Sequence, residues 1–174
     1  TSGWQSSDLV IIAGRPAMGK TSFALSLAKN IAVDYHVPIA FFSLEMNNVQ
    51  LVNRLISNVC EIPGNKMLNG QLTPDEWDRL DKRIGNLQGA PLYIDDTPGL
   101  SIFELRTKAR RLVKEKGVKI LMIDYLQLMN ANGMKFGSRQ EEVSKISQSL
   151  KGLAKELDIP ILALSQLNRT VENR

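Results

Sequence analysis

The sequence predicts an α/β fold built on a mostly parallel sheet with helices on both faces. Three observations predict it. Short runs dense in Ile, Leu, Val or Phe, at 9–13, 38–43, 91–95, 119–124 and 160–165, alternate with longer segments of helical period. Strand followed by helix followed by strand is the signature of repeated βαβ units. The short runs are apolar throughout instead of alternating, as strands covered on both faces are. Finally, 174 residues with 43% hydrophobic and 23% charged side chains are enough for one packed domain and too few for two of full size.

The helices are expected near 19–34, 47–59, 74–88, 102–116 and 139–157. The first follows a Gly-rich turn. The other four carry start signals: Asn47 or Asn48 as a cap; Thr73-Pro74-Asp75-Glu76, a cap followed by Pro and acids; Ser101; and Ser138, with Glu141 three positions on as in a capping box. No repeat, low-complexity tract or linker interrupts the pattern, so residues 1–174 read as a single domain. The chain opens at Thr1 without Met and reads as a piece of something longer.

Composition narrows the chemistry. A formal charge of +4 permits a phosphate-bearing partner without demanding one. Cys60, the one cysteine, has Ile56 and Val59 nearby, pairs with nothing inside the chain and reads as a small core residue of a protein in the reducing cytoplasm. No apolar run approaches the length of a membrane span, and the N-terminus lacks the layout of a signal peptide. His36 is the one histidine, so neither a metal cluster nor a His-based triad can be assembled from the inventory.

The most informative stretch is Gly14-Arg15-Pro16-Ala17-Met18-Gly19-Lys20-Thr21. A Gly, four free positions and Gly-Lys-Thr, set between an apolar run and a helical pattern, form a phosphate-binding loop. The turn from strand to helix points successive N–H groups at an anion beside a positive helix terminus. Lys20 adds a point charge for the outer phosphates, and the Thr21 hydroxyl can ligate magnesium.

In an open parallel sheet, ligands gather at the carboxyl ends of the strands, and the remaining unusual residues fall there. Asp124 closes the run Ile120-Leu121-Met122-Ile123, where an acid in phosphate-loop proteins holds the magnesium ion or its water. Glu45, in Ser43-Leu44-Glu45-Met46, could polarise an attacking water if its strand borders the loop; a surface salt bridge is the other reading. Gln166 ends the last strand, as a phosphate-sensing amide or a solvated side chain. Asp95-Asp96, followed by Thr97-Pro98-Gly99, read as turn-stabilising instead of a metal pair. Arg106, Arg110 and Lys114, with Lys108 and Arg111 beside them, read as a solvated helix face, with a nucleic-acid or subunit contact as the alternative. Lys135, Phe136 and Arg139, around a Gly-rich loop, have the ingredients of a single-strand contact.

Taken in order, Gly14 to Thr21, Ser43-Leu44-Glu45-Met46, Ile94-Asp95-Asp96-Thr97-Pro98-Gly99-Leu100-Ser101, Asp124-Tyr125-Leu126-Gln127-Leu128-Met129 and Leu164-Ser165-Gln166-Leu167-Asn168-Arg169 resemble the successive signature blocks of the bacterial replicative DNA helicases of the DnaB family. The resemblance runs from about Gly3 to Arg174. It implies a RecA-like ATPase core, truncated at its C-terminal end, that uses ATP and Mg2+ and works as a homo-hexamer in the full-length protein around single-stranded DNA. Carried over by residue, Lys20 and Thr21 bind phosphate and magnesium, Glu45 is the catalytic base, Asp124 the magnesium acid and Gln166 the phosphate sensor. Lys135, Arg139 and Arg169 fall in segments matching the family's central-channel loops and are expected to face DNA. Primase and helicase loader are expected to engage parts absent here, as is an arginine completing the next subunit's site, so slow hydrolysis is expected of this piece alone. A RecA-like recombinase or clock-type ATPase, and a nucleotide-gated assembly module with little hydrolysis, are the alternatives.

Overall fold

The computed structural model describes residues 3–131 and 137–167. Five strands, β1 (Leu9–Gly14), β2 (Ile39–Ser43), β3 (Leu92–Asp95), β4 (Ile120–Asp124) and β5 (Ile161–Gln166), pair in parallel throughout, in the order β1-β5-β4-β2-β3. Six helices connect or flank them: α1 (Lys20–Lys29), α2 (Asn48–Cys60), α3 (Gly64–Asn69), α4 (Pro74–Gln88), α5 (Ile102–Lys116) and α6 (Arg139–Leu157). The predicted strands and the last four predicted helices stand where expected. The first helix differs, because after Lys29 it widens into a π-turn over Asn30–Asp34. The short helix α3 is an addition, ended by Gly70 at φ 66°.

Alternation of side chains along each strand builds two apolar layers. On one face Phe41, Met122, Leu162 and Leu164 pack under Ala24, Leu25 and Ala28 of α1 and Leu51 and Leu55 of α2. On the other, Phe42, Leu121, Ile123 and Ile161 pack under Leu105 and Ala109 of α5 and Ile146, Leu150 and Leu153 of α6. β2 is buried along its whole length, as a strand covered on both faces must be. Cys60 joins Val59 and Ile62 in a smaller cluster beside α3 and α4, and burial pushes its thiol pKa up.

The start signals are met in detail. Asn47 with Gln50, Thr73 with Glu76 and Ser101 with Glu104 each form a reciprocal capping box. Ser138 accepts from the Glu141 N–H, but the Glu141 carboxylate reaches one residue further back, to the N–H of Gly137, so the expected box is shifted by one position.

The strand order bears on the condition attached to Glu45. β2 is not a neighbour of β1, since β5 and β4 stand between them, yet the turn that follows β2 lines the same cleft as the phosphate loop. Ala24, Leu25 and Ala28 of α1 share one apolar layer with residues of β2, β4 and β5. Ala24 sits over a small void bordered by Ile12 of β1, Phe41 of β2, Met122 of β4 and Leu162 and Leu164 of β5.

Candidate nucleotide-binding site

The loop after Gly14 turns through Ala17 at φ 61° and Gly19 at φ 78°. Gly19 takes the left-handed conformation freely, whereas Ala17 holds it at a cost of roughly 1–2 kcal/mol. Gly14 serves a different purpose. A Cβ there would stand 3.2 Å from Lys20 Cγ and 3.3 Å from its Cδ, so the bare glycine lets the lysine fold back over the loop. Lys20 Nζ donates to the Arg15 carbonyl at 2.9 Å, which sets its charge over the turn. No side chain caps α1 and its first turn carries no acid, so its leading N–H groups face outward as donors for an anion.

A cleft of about 360 Å³ opens over this turn. Pro16, Ala17, Gly19, Lys20, Thr21 and Ser22 form one wall; Glu45 and Met46 beyond β2, Arg54 of α2 and Gln166 of β5 form the rest. Gly14, Arg15 and Met18 complete the predicted loop, with the Met18 N–H donating to the Arg15 carbonyl at 3.4 Å and the Met18 side chain exposed.

Glu45 owes its place to the residue two before it. Ser43 Oγ donates to the Met46 carbonyl at 2.8 Å and accepts from the Met46 N–H at 3.2 Å, closing residues 43–46 into a tight turn with the glutamate exposed at its tip. The turn is tied to β4 as well, because the Leu44 N–H donates to the Asp124 carbonyl at 2.7 Å. Asp96 holds the following helix, accepting from the N–H and side-chain amide of Asn48.

Asp124 stands opposite Ser43 in the sheet register and is 1% exposed. Neither carboxylate oxygen has a hydrogen-bond partner. Burial pushes its pKa up and the charge of Glu45 adds to this; Thr21, Lys20 and Arg54 pull the other way without overcoming it. The Thr21 hydroxyl is thus near enough to act on the carboxylate while leaving both oxygens without a formed bond. A buried, unpartnered carboxylate beside a hydroxyl is a donor set that suits magnesium, which takes one or two protein oxygens and fills its octahedron with phosphate and water. Among the described residues no cluster of three or more His, Cys, Asp or Glu side chains could hold a metal ion by itself, so phosphate and water would have to supply the remaining ligands.

Other predicted residues divide clearly. Asp95 is a turn and packing residue: its Oδ1 accepts from the Thr97 N–H at 3.0 Å and its Oδ2 pairs with Lys108 at 2.6 Å. Burial alone would raise its pKa, but the bonds to Lys108 and Thr97 outweigh that and hold it below the usual carboxylate range. In the basic row of α5, Arg106 and Arg110 grip Glu156 of α6 at 2.9 and 2.5 Å, while Arg111 and Lys114 are exposed. Arg139 donates from Nη2 to the carbonyls of Gln127 at 2.6 Å and Met129 at 2.8 Å, and its Nη1 pairs with Glu142. Lys135, Phe136 and Arg169 lie outside the described residues.

Sequence reasoning missed two residues. Arg54 lines the cleft and is the one charged side chain of α2, a helix otherwise free of charge, which was the available signal. Gln127 bonds the end of β5 from thirty-nine positions away, and no local pattern announces it.

The fold and the cleft define a phosphate-loop ATPase core of the RecA-like class. Comparison with known proteins carries this further. The family model described as the DnaB-like helicase C terminal domain matches residues 1–174, and the chain belongs to that family. It is 48% identical over 174 residues to the replicative DNA helicase DnaB of Geobacillus stearothermophilus, covering all of this chain and 38% of that protein. The replicative DNA helicase DnaC of Bacillus subtilis (strain 168) is 46% identical, again over 100% of this chain and 38% of its own. Among solved structures, a DnaB-like replicative helicase, solved in a study of its interactions with primase, superposes with a TM-score of 0.90 at 38% identity, over 99% of this chain and 42% of that one. A second solved chain, described as an ATPase domain, matches with the same TM-score and identity over 61% of its length. The chain thus spans well under half the length of these curated relatives.

Proposed function

We propose that residues 1–174 form one motor domain of a cytoplasmic replicative DNA helicase, which hydrolyses ATP to move along single-stranded DNA and part the duplex, as a ring of six in its full-length form. What supports the reading above all is Asp124, buried without a hydrogen-bond partner next to Thr21, near the cleft that Lys20 and Glu45 line. The magnesium ion of a bound nucleotide would supply the positive charge that such a carboxylate calls for.

In this reading the N–H groups from Gly14 to Thr21 cradle the outer phosphates and Lys20 leaves the Arg15 carbonyl to meet them. Thr21 and Asp124 hold Mg2+, which would neutralise charge on the phosphate oxygens. Glu45 takes a proton from the water that attacks the terminal phosphorus. Gln166 bonds the terminal phosphate and loses that bond once it departs. Lys135 and Arg169 are proposed to contact DNA. Arg139 is proposed to do so as well, from a guanidinium that also holds the carbonyls of Gln127 and Met129. Primase and loader are proposed partners of the full-length protein.

The deciding experiment is Glu45→Gln. The amide keeps the volume and removes the base, so nucleotide affinity should hold within about threefold while hydrolysis falls by about 10²–10⁴. Equal loss of affinity and turnover, or turnover unchanged, would refute the role; the unchanged result would favour a nucleotide-gated assembly module.

A further inference from the structure

Resting on the motor reading, we infer that Gln127 is a positioning residue: it sets where Gln166 stands and links it, through Arg139, to both ends of the segment 130–138. The ladder between β4 and β5 stops at Ile123 and Ala163. β5 runs on to Gln166, supported only on its other side, where Ser165 pairs with Ala13 and Gln166 with Gly14. The Leu167 N–H already goes to the Gly14 carbonyl, so the main-chain groups of Gln166 point the opposite way, to where β4 has left the sheet.

The side chain of Gln127 fills that place. Its Oε1 accepts from the Gln166 N–H at 3.1 Å, and its Nε2 donates to the Gln166 carbonyl at 3.1 Å and to Ser165 Oγ at 2.9 Å. A carboxamide offers the same donor and acceptor as a peptide group, so one side chain stands in for the missing strand. Gln127 is itself fixed, because its carbonyl and that of Met129 share the Arg139 guanidinium. Arg139 pairs with Glu142, whose other oxygen accepts from the Ala131 N–H at 3.0 Å. An unbroken series of bonds therefore runs from the end of β5 to Ala131 on one side of the loop and Arg139 on the other. Gln166 borders both the nucleotide cleft and a second cavity of about 530 Å³ between Tyr125, Gln127, Arg139 and Val143. A pull on Gln166 from the cleft cannot move its main chain without moving Gln127.

A filler of hydrogen-bonding capacity and a positioning residue make different predictions. Gln127 and Gln166 are both partly exposed, so water can replace the lost bonds and little stability is at stake. The test uses the full-length helicase carrying this domain, with ATPase rates measured with and without oligo(dT). For Gln127→Leu, the ratio of DNA-stimulated to basal kcat should fall at least about tenfold. Gln127→Glu keeps the volume and one acceptor and serves if the leucine variant does not fold. Its stimulation ratio should also fall, because a carboxylate cannot donate to the Gln166 carbonyl or to Ser165 Oγ. Stimulation equal to wild type in these variants overturns the inference, as does a parallel loss of basal and stimulated turnover with lowered melting temperature. Absence of stimulation in the wild type overturns the motor reading itself, and the inference with it.

Discussion

Asp124 is the residue at which stability and function pull apart. A buried carboxylate without partners is expensive to keep charged, by about 1–3 kcal/mol for the unmet hydrogen bonding alone. Because burial raises its pKa, the folded chain binds that proton more tightly than the unfolded one, so its contribution to stability falls as pH rises above the unfolded value. Asp124→Asn should therefore raise the melting temperature of the nucleotide-free chain at pH 7 by a few degrees, on the scale of about 2–4 °C per kcal/mol for a domain of this size. The same variant should lose most of the extra stability that a magnesium–nucleotide analogue gives the wild type. Differential scanning fluorimetry with and without the analogue reads both effects; a variant less stable than wild type when empty would contradict the account. The residues at this site were legible to very different degrees. Lys20, Thr21 and Asp124 stand at a motif and a strand end, positions whose meaning a one-dimensional pattern already carries. Arg54 sits on a helix whose face only the packing against α1 reveals. The task of Gln127 depends on the β4–β5 ladder stopping at Ala163, three residues before β5 itself ends.

Among the elements, caps were readable because they are local. Thr73 with Glu76 and Ser101 with Glu104 each lie three residues apart, and the chain geometry alone brings them together. Strand order was not readable. Every connection is a crossover, and nothing in 9–13 or 38–43 says how many strands a crossover passes, so whether the strand of Glu45 comes near the phosphate loop stayed open in the sequence. The basic row on α5 was ambiguous for a similar reason, since its partner Glu156 lies on α6, about fifty positions on. Arg110 and Arg106 together hold Glu156 down to a pKa of about 2. The stabilisation from this pairing is complete above the ordinary carboxylate range and is lost as pH falls from about 4.5 to about 2. Because all three side chains are about a third exposed or more, solvent screens the pairing and its effect on stability is small. Glu156→Gln should thus show slightly lower stability in urea at pH 7, with the gap to wild type closing over that acidic window. A gap that is the same at pH 7 and pH 2 would mean that packing, not charge, joins α5 to α6.

For the molecule as a whole, family membership and function stand on different footings: the chain matches the DnaB-like C-terminal domain over its full length, while its relatives are longer proteins. We expect the isolated chain to bind a magnesium–nucleotide complex and turn it over slowly, because phosphoryl transfer in such sites gains about a thousandfold or more from an arginine supplied by a neighbour. A malachite-green phosphate assay decides this. Brisk turnover by the chain alone would mean that the cleft already holds every group it needs, with Arg54 the first candidate for the extra cation.

The strand order has a mechanical corollary. The groups that would touch a single nucleotide come from the loop after β1, from β5 and β4 and from the turn beyond β2, at the ends of four successive strands of one sheet. Under the proposed reading a nucleotide would tie the turn beyond β2 to the loop after β1 across the two strands between them, and departure of its terminal phosphate would cut the part of that tie made by Gln166.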